Sequence, residues 1–94
     1  MYLLRLFITG KKGKSQEAIE SLQSLCEKRW PGAYCLDIID ILEMPEKAKE
    51  EQILITPVLL KIEPQPSKRI VGDFSNPQEV LTQLEEGGLN ENDR

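Results

Sequence analysis

The segment ILITPVLLKIEPQPSKRIVGDFSN, Ile53 to Asn76, decides the fold. It sets a Thr-Pro pair ahead of one apolar run, a Pro-Gln-Pro turn after it, and then a second short apolar run that ends in Gly-Asp. Two apolar runs of strand length around a proline-bounded turn predict a β-hairpin. Thr56-Pro57 is the unusual part. Proline has no N–H to give to a sheet ladder, so it belongs at a strand start, an edge or a bulge. A proline that opens a core-facing strand is also a place where a cis peptide bond occurs.

Upstream of the hairpin, MPEKAKEE (Met44–Glu51) predicts a short helix with Pro45 at its first position and Glu46 against the positive end. It has little to bury: Met44 and Ala48, then Ile53 and Leu54 beyond the charged run. Ala33–Leu42 (AYCLDIIDIL) predicts a strand. Its two aspartates, Asp37 and Asp40, lie three apart and therefore point to opposite faces, so they do not pair for acid–base or metal work. One of them is expected to end the strand or to receive a loop amide. Before it, Ala18, Ile19, Leu22, Leu25 and Cys26 form one helical stripe, with Ser15 as the expected N-cap and Pro31-Gly32 as the stop. Trp30, just past the end, is read as core or edge packing. Tyr2–Ile8 is apolar except for Arg5 and lacks alternation, which suits a strand covered on both faces.

Downstream, Asn76-Pro77-Gln78-Glu79 is a helix start with a cap, a proline at N1 and a capping-box glutamate. Val80, Leu81 and Leu84 form its buried face, and Gly87-Gly88 stops it. Residues 1–88 are expected to be a single domain and 89–94 a flexible tail.

Composition narrows the function. The chain has 94 residues, 30% of them charged, and no apolar run reaches the roughly 18–20 residues of a membrane span. Its start carries no signal-peptide features, so a cytoplasmic protein is expected. The net charge is −4, and it is uneven: residues 1–30 carry +3 and residues 31–94 carry −7. An acidic chain of this kind is a poor nucleic-acid binder, because such binding rests on neutralising many phosphates. Lys11, Lys12 and Lys14 read as a solvated loop. There is no histidine, and the two cysteines, Cys26 and Cys35, fit no CxxC or zinc spacing. Nothing calls for a metal or a cofactor.

The predicted order, β-α-β-α-β-β-α, is the thioredoxin-like one, an α/β (α+β) class in which a cis-proline opens the third strand. A thiol enzyme on that scaffold needs its cysteine at the first helix N-terminus, where the dipole lowers its pKa. Here that position reads Lys12-Gly13-Lys14-Ser15. Gly10-Lys11-Lys12-Gly13-Lys14-Ser15 also misses phosphate-loop spacing, since its first glycine is too close. The residues describe a binding module on a redox-type scaffold.

YLLRLFITG at the start, PGAYCLDIIDILEMPEKAKEEQILITPVLLKI in the middle and the KRIVGDFSN run resemble the KaiB family, circadian-clock proteins of cyanobacteria and their bacterial homologues. The similarity runs from about Tyr2 to Leu84. It implies a non-enzymatic regulator that binds a KaiC-type ATPase and modulates its phosphorylation and timing cycle. It also implies capture of a KaiA-like protein or displacement of a sensor histidine kinase. The family is metamorphic. A tetrameric or dimeric homo-oligomer with β-α-β-β-α-α-β order is the ground state, and a thioredoxin-like monomer is the binding state. The resemblance implies partner-binding roles at Lys28, Gln52, Lys61, Arg69 and Asp73. The fold-switch and cis-proline candidates are Thr56, Pro57, Pro64, Pro66 and Gly72. The chain departs from the clock type where Glu17 and Gln52 replace basic residues, at Pro64-Gln65-Pro66 in place of three prolines, and in lacking a long acidic tail. Those departures fit a diverged paralogue. The alternatives are a stress-adaptation interaction protein without a clock role, and a thioredoxin-like redox protein with a degenerate site.

Overall fold

The apolar run Tyr2–Ile8 forms strand β1 of the computed structural model, which describes residues 1–72 and 74–86. It is a central strand, as its lack of alternation implies. Strand β2 (Tyr34–Asp40) lies parallel to it on one side, and β3 (Val58–Glu63) lies antiparallel on the other. Strand β4 (Lys68–Val71) closes the hairpin, giving a sheet of order β2-β1-β3-β4. With helices α1 (Lys14–Arg29), α2 (Pro45–Glu50) and α3 (Pro77–Glu86), the order is β-α-β-α-β-β-α. Of the two expected orders, this is the thioredoxin-like one.

The two faces of the sheet are covered unequally. On one face Leu4, Leu6, Ile8, Leu59 and Ile70 meet Ala18, Ile19, Leu22 and Cys26 of α1 and Val80 and Leu84 of α3. The helical stripe read from the sequence is the stripe that packs, with Leu25 at its half-buried margin. On the other face Phe7, Ile39, Val58 and Leu60 cluster with Ala48 of α2 and with Ile53, and the half-buried Ile41 packs against them. A helix of six residues has one turn to offer, and Ala48 is its only buried side chain. Trp30 stacks on Tyr2 with ring centroids 3.8 Å apart, which is the edge packing expected of it.

Local expectations hold or fail for identifiable reasons. The Asn76 side chain accepts the Glu79 amide at 3.3 Å, and Pro77 opens α3. Asp40 ends β2 and receives loop amides, whereas Asp37 is exposed on the opposite face. Ser15 is not the N-cap of α1. Gly13 holds that position at φ 59°, and Ser15 is buried inside the first turn, its hydroxyl donating to the Thr9 carbonyl at 3.3 Å. The preceding loop folds back tightly enough to bring Thr9 within reach, so the serine serves the loop instead of the helix end. The third strand also begins later than the apolar run, at Val58; residues 53–57 form a linker. The expected helix stop at Gly87-Gly88, the tail, and Asp73 lie outside the described residues.

Candidate partner-binding surface

Four chain segments meet at one end of the sheet: Thr9–Gly10 after β1, Asp40–Met44 after β2, Leu54–Pro57 before β3, and Val71–Gly72 after β4. The Thr56-Pro57 bond is cis, and Pro57 is buried. Its carbonyl accepts the Gly72 amide at 3.4 Å. Gly72 has φ +118°, a conformation open to glycine and strained for other residues. The hydroxyls of Thr9 and Thr56 share a hydrogen bond at 2.7 Å. The Asp40 carboxylate accepts from the amides of Gly10 and Leu42, each at 3.0 Å. Those donors, Gly10 foremost, hold its carboxyl below the usual value. Together these bonds tie the loops into one platform.

The platform displays apolar side chains to solvent. Leu54 is 96% exposed and Ile55 61%, and Leu42, Met44 and Val71 are exposed beside the same strand ends. Concentrated apolar exposure of this kind marks an interaction surface in a soluble domain. Residues 53–55 explain how it arises. Ile53 turns inward to the thin core, and Gln52 before it sits at φ 56°, so the chain turns and directs Leu54 and Ile55 outward.

The candidate residues distribute as follows. Thr56, Pro57 and Gly72 come together in the platform. Pro64 and Pro66 lie at the opposite end of β3, in the hairpin turn, and both follow cis bonds. Gln52 is exposed beside Glu51, whose carbonyl accepts from Arg69 at 2.9 Å, so Gln52 and Arg69 are neighbours. Lys28 is exposed in the last turn of α1 and joins neither group. Lys61 is buried on the helix-covered face, its amine donating to the Leu84 carbonyl near the C-terminal end of α3 at 2.9 Å. Burial, and then the Lys68 charge, lower its pKa. Sequence reasoning missed the exposed apolar rim, because the run Ile53–Ile55 carries the same hydrophobic signal whether it enters a strand or leaves the surface. It also missed Arg5, a lone charge in an apolar strand.

The thiols do not make a redox centre at the usual place. Cys26 is buried in α1, and burial, followed by the charge of Glu27, pushes its thiol up to about 11. Such a thiol stays protonated and unreactive near neutral pH. Cys35 is exposed in β2. Among the described residues no group of three or more cysteines and carboxylates could hold a metal ion, and no helix is long and apolar enough to cross a membrane.

Comparison with known proteins gives a consistent result. Residues 5–85 match the family model for the KaiB domain. The circadian clock protein KaiB3 of Synechocystis sp. is 45% identical over 83 residues, covering 88% of this chain and 81% of that protein. The N-terminal domain of Synechococcus elongatus SasA shares the fold, with a TM-score of 0.73 at 21% identity, covering 90% of this chain and 80% of that one. Mitochondrial thioredoxin 3 of Saccharomyces cerevisiae shares it too, with a TM-score of 0.72 at 19% identity over 90% of this chain and 77% of that one.

Proposed function

The chain belongs to the KaiB family of circadian-clock proteins, and from that premise we propose that it is a non-catalytic regulator that binds a KaiC-type ATPase and modulates its phosphorylation and timing cycle. The observation that carries this reading is the family match across residues 5–85. The exposed rim formed by Leu42, Met44, Leu54, Ile55 and Val71 supports it, since it offers a partner an apolar contact on a platform already braced by hydrogen bonds. The buried, protonated Cys26 thiol and the absence of a cysteine at the start of α1 argue for binding over thiol chemistry. Gln52 and Arg69, near the α2 end of the rim, are proposed partner contacts together with Lys28, Asp73 and Lys61, the last of which is buried in this fold. A KaiA-like protein or a sensor kinase is the proposed second partner, and the proposed compartment is the cytoplasm.

The fold seen here is proposed as the binding state of a metamorphic chain. The α2 region is thinly anchored, so repacking it costs few contacts. A homotetramer or dimer with Thr56, Pro57, Pro64, Pro66 and Gly72 in changed surroundings is the proposed ground state. Size-exclusion chromatography of the protein with its cognate KaiC-type ATPase, with and without ATP, tests the reading. Co-elution that strengthens over hours is expected. No co-elution in any nucleotide state would sink it.

A further inference from the structure

The turn after β1 gathers three separate parts of the chain onto two residues. The Thr9 hydroxyl shares its hydrogen bond with Thr56 of the linker at 2.7 Å. The Thr9 carbonyl accepts from the Ser15 hydroxyl of α1 at 3.3 Å. The Gly10 amide donates to the Asp40 carboxylate, at the end of β2, at 3.0 Å. A Cβ placed on Gly10 would lie 3.9 Å from Cδ1 of Leu42, so that exposed leucine stands beside the same turn. The linker 53–57 is anchored at both ends. Ile53 is buried, and its amide donates to the Ala48 carbonyl at 2.9 Å. Pro57 is buried, and its carbonyl accepts from Gly72. Between these anchors the Thr9–Thr56 bond ties the chain back to the end of β1. Burial does not hold this span, since Leu54 is 96% exposed and Ile55 61%. An exposed hydroxyl pair adds little to global stability, because water replaces either partner. What it supplies is order in a short span whose apolar side chains face solvent.

Resting on the regulator reading, we infer that Thr9 is a positioning residue for partner recognition. Its hydroxyl fixes residues 54–56 so that Leu54 and Ile55 form one surface with Leu42, which Gly10 and Asp40 hold beside them. Thr9 acts through Thr56 and is assigned no contact with the partner. Two loops from distant parts of the chain are locked to the same two residues, so the rim meets its partner already ordered and gives up less freedom on binding. Molecules with the span released are not competent to bind, and the apparent affinity falls with the competent fraction. Valine keeps the shape of threonine without the hydroxyl, so Thr9→Val removes the clasp and little else.

The test compares the full wild-type chain with Thr9→Val, Thr56→Val, the double variant, Thr9→Ser and Thr82→Val. The last is a control away from the rim, where an exposed hydroxyl donates to the Gln78 carbonyl of α3. Backbone ¹⁵N relaxation of the free protein is read first. Order parameters at Ile55 and Thr56 are expected near ~0.85 in wild type and Thr9→Ser, and below about 0.6 in Thr9→Val. Leu6 and Leu59 should stay rigid throughout, and the urea midpoint should not move. Binding kinetics with the cognate KaiC-type ATPase are read second. Thr9→Val should bind about fivefold more weakly through slower association, with dissociation within about twofold of wild type. The double variant should lose the same factor and not about twenty-five-fold, because both single changes break one bond. Thr9→Ser and Thr82→Val should bind as wild type does. Order parameters unmoved by Thr9→Val, additive losses in the double variant, or an equal loss in Thr82→Val would each overturn the inference. Loosening of residues 55 and 56 in Thr9→Val, on a wild-type chain that binds no ATPase, defeats the regulator reading and not the clasp.

Discussion

The two faces of one four-stranded sheet have opposite characters. The face under α1 and α3 is closed by two helices and holds the larger cluster, with Leu6, Ile8, Leu22, Cys26, Leu59 and Leu84 essentially inaccessible. The face under α2 is closed by Ala48 and Ile53 with Ile41 at its margin, and carries Arg5, Leu60 and Arg69 in one row, with a cleft beside Leu60 and Arg69. The first concentrates burial and therefore stability. The second leaves the Arg5 Nε buried without a hydrogen-bond partner among the described residues.

Core substitutions would break this contrast most visibly. Leu22→Ala should cost about 3–5 kcal/mol, and Ile53→Ala on the thin face about 2 kcal/mol or less, because the thin site collapses more readily. Urea denaturation of both variants measures the difference, and equal losses would remove the asymmetry. Gly72→Ala comes next. A side chain at φ +118° is strained, with an expected cost of about 1–3 kcal/mol. The loss should appear together with faster exchange of the residue-72 amide, which donates to the Pro57 carbonyl.

Acidity sharpens the comparison further. The folded carboxyl of Asp40 titrates below its ordinary value, so its contribution is present above the unfolded value of 3.8 and is lost as pH falls through the lower folded value. Asp40→Asn should flatten that acid limb of a stability–pH curve. Lys61 acts at the other extreme. Its folded pKa is also lowered, so between that lowered value and the unfolded value of 10.5 the unfolded chain binds more protons, and stability should rise with pH across that window. Lys61→Met should remove the rise. A slope that persists in the variant would reassign it to another group. The smallest effect on stability is expected for Leu54→Ser, within about 0.5 kcal/mol, since the side chain is already in water. The same substitution should weaken ATPase co-elution, and unchanged co-elution would take Leu54 out of the interface.

Much of this molecule was legible in its sequence. The α1 stripe and the Asn76-Pro77 start of α3 follow from short-range rules, because each is set by residues within a turn or two. Ser15 shows where such rules stop. A serine just ahead of an apolar stripe reads as a cap, but the loop brought the Thr9 carbonyl to its hydroxyl, and Gly13 took the cap position. Lys61 shows the same limit. Nothing local says that a lysine in an apolar strand will point under a helix end 23 residues away.

By itself the sequence determined the larger core and the family, since periodicity, caps and motif residues are properties of neighbours along the chain, while the choice between the two expected element orders fell to the tertiary structure. Tertiary structure decided what that order exposes: the apolar rim at Leu54 and Ile55, and the Arg5–Leu60–Arg69 row. Both depend on strand register and on how little α2 covers. Those are relations between distant residues, and local free energies of a single segment do not contain them.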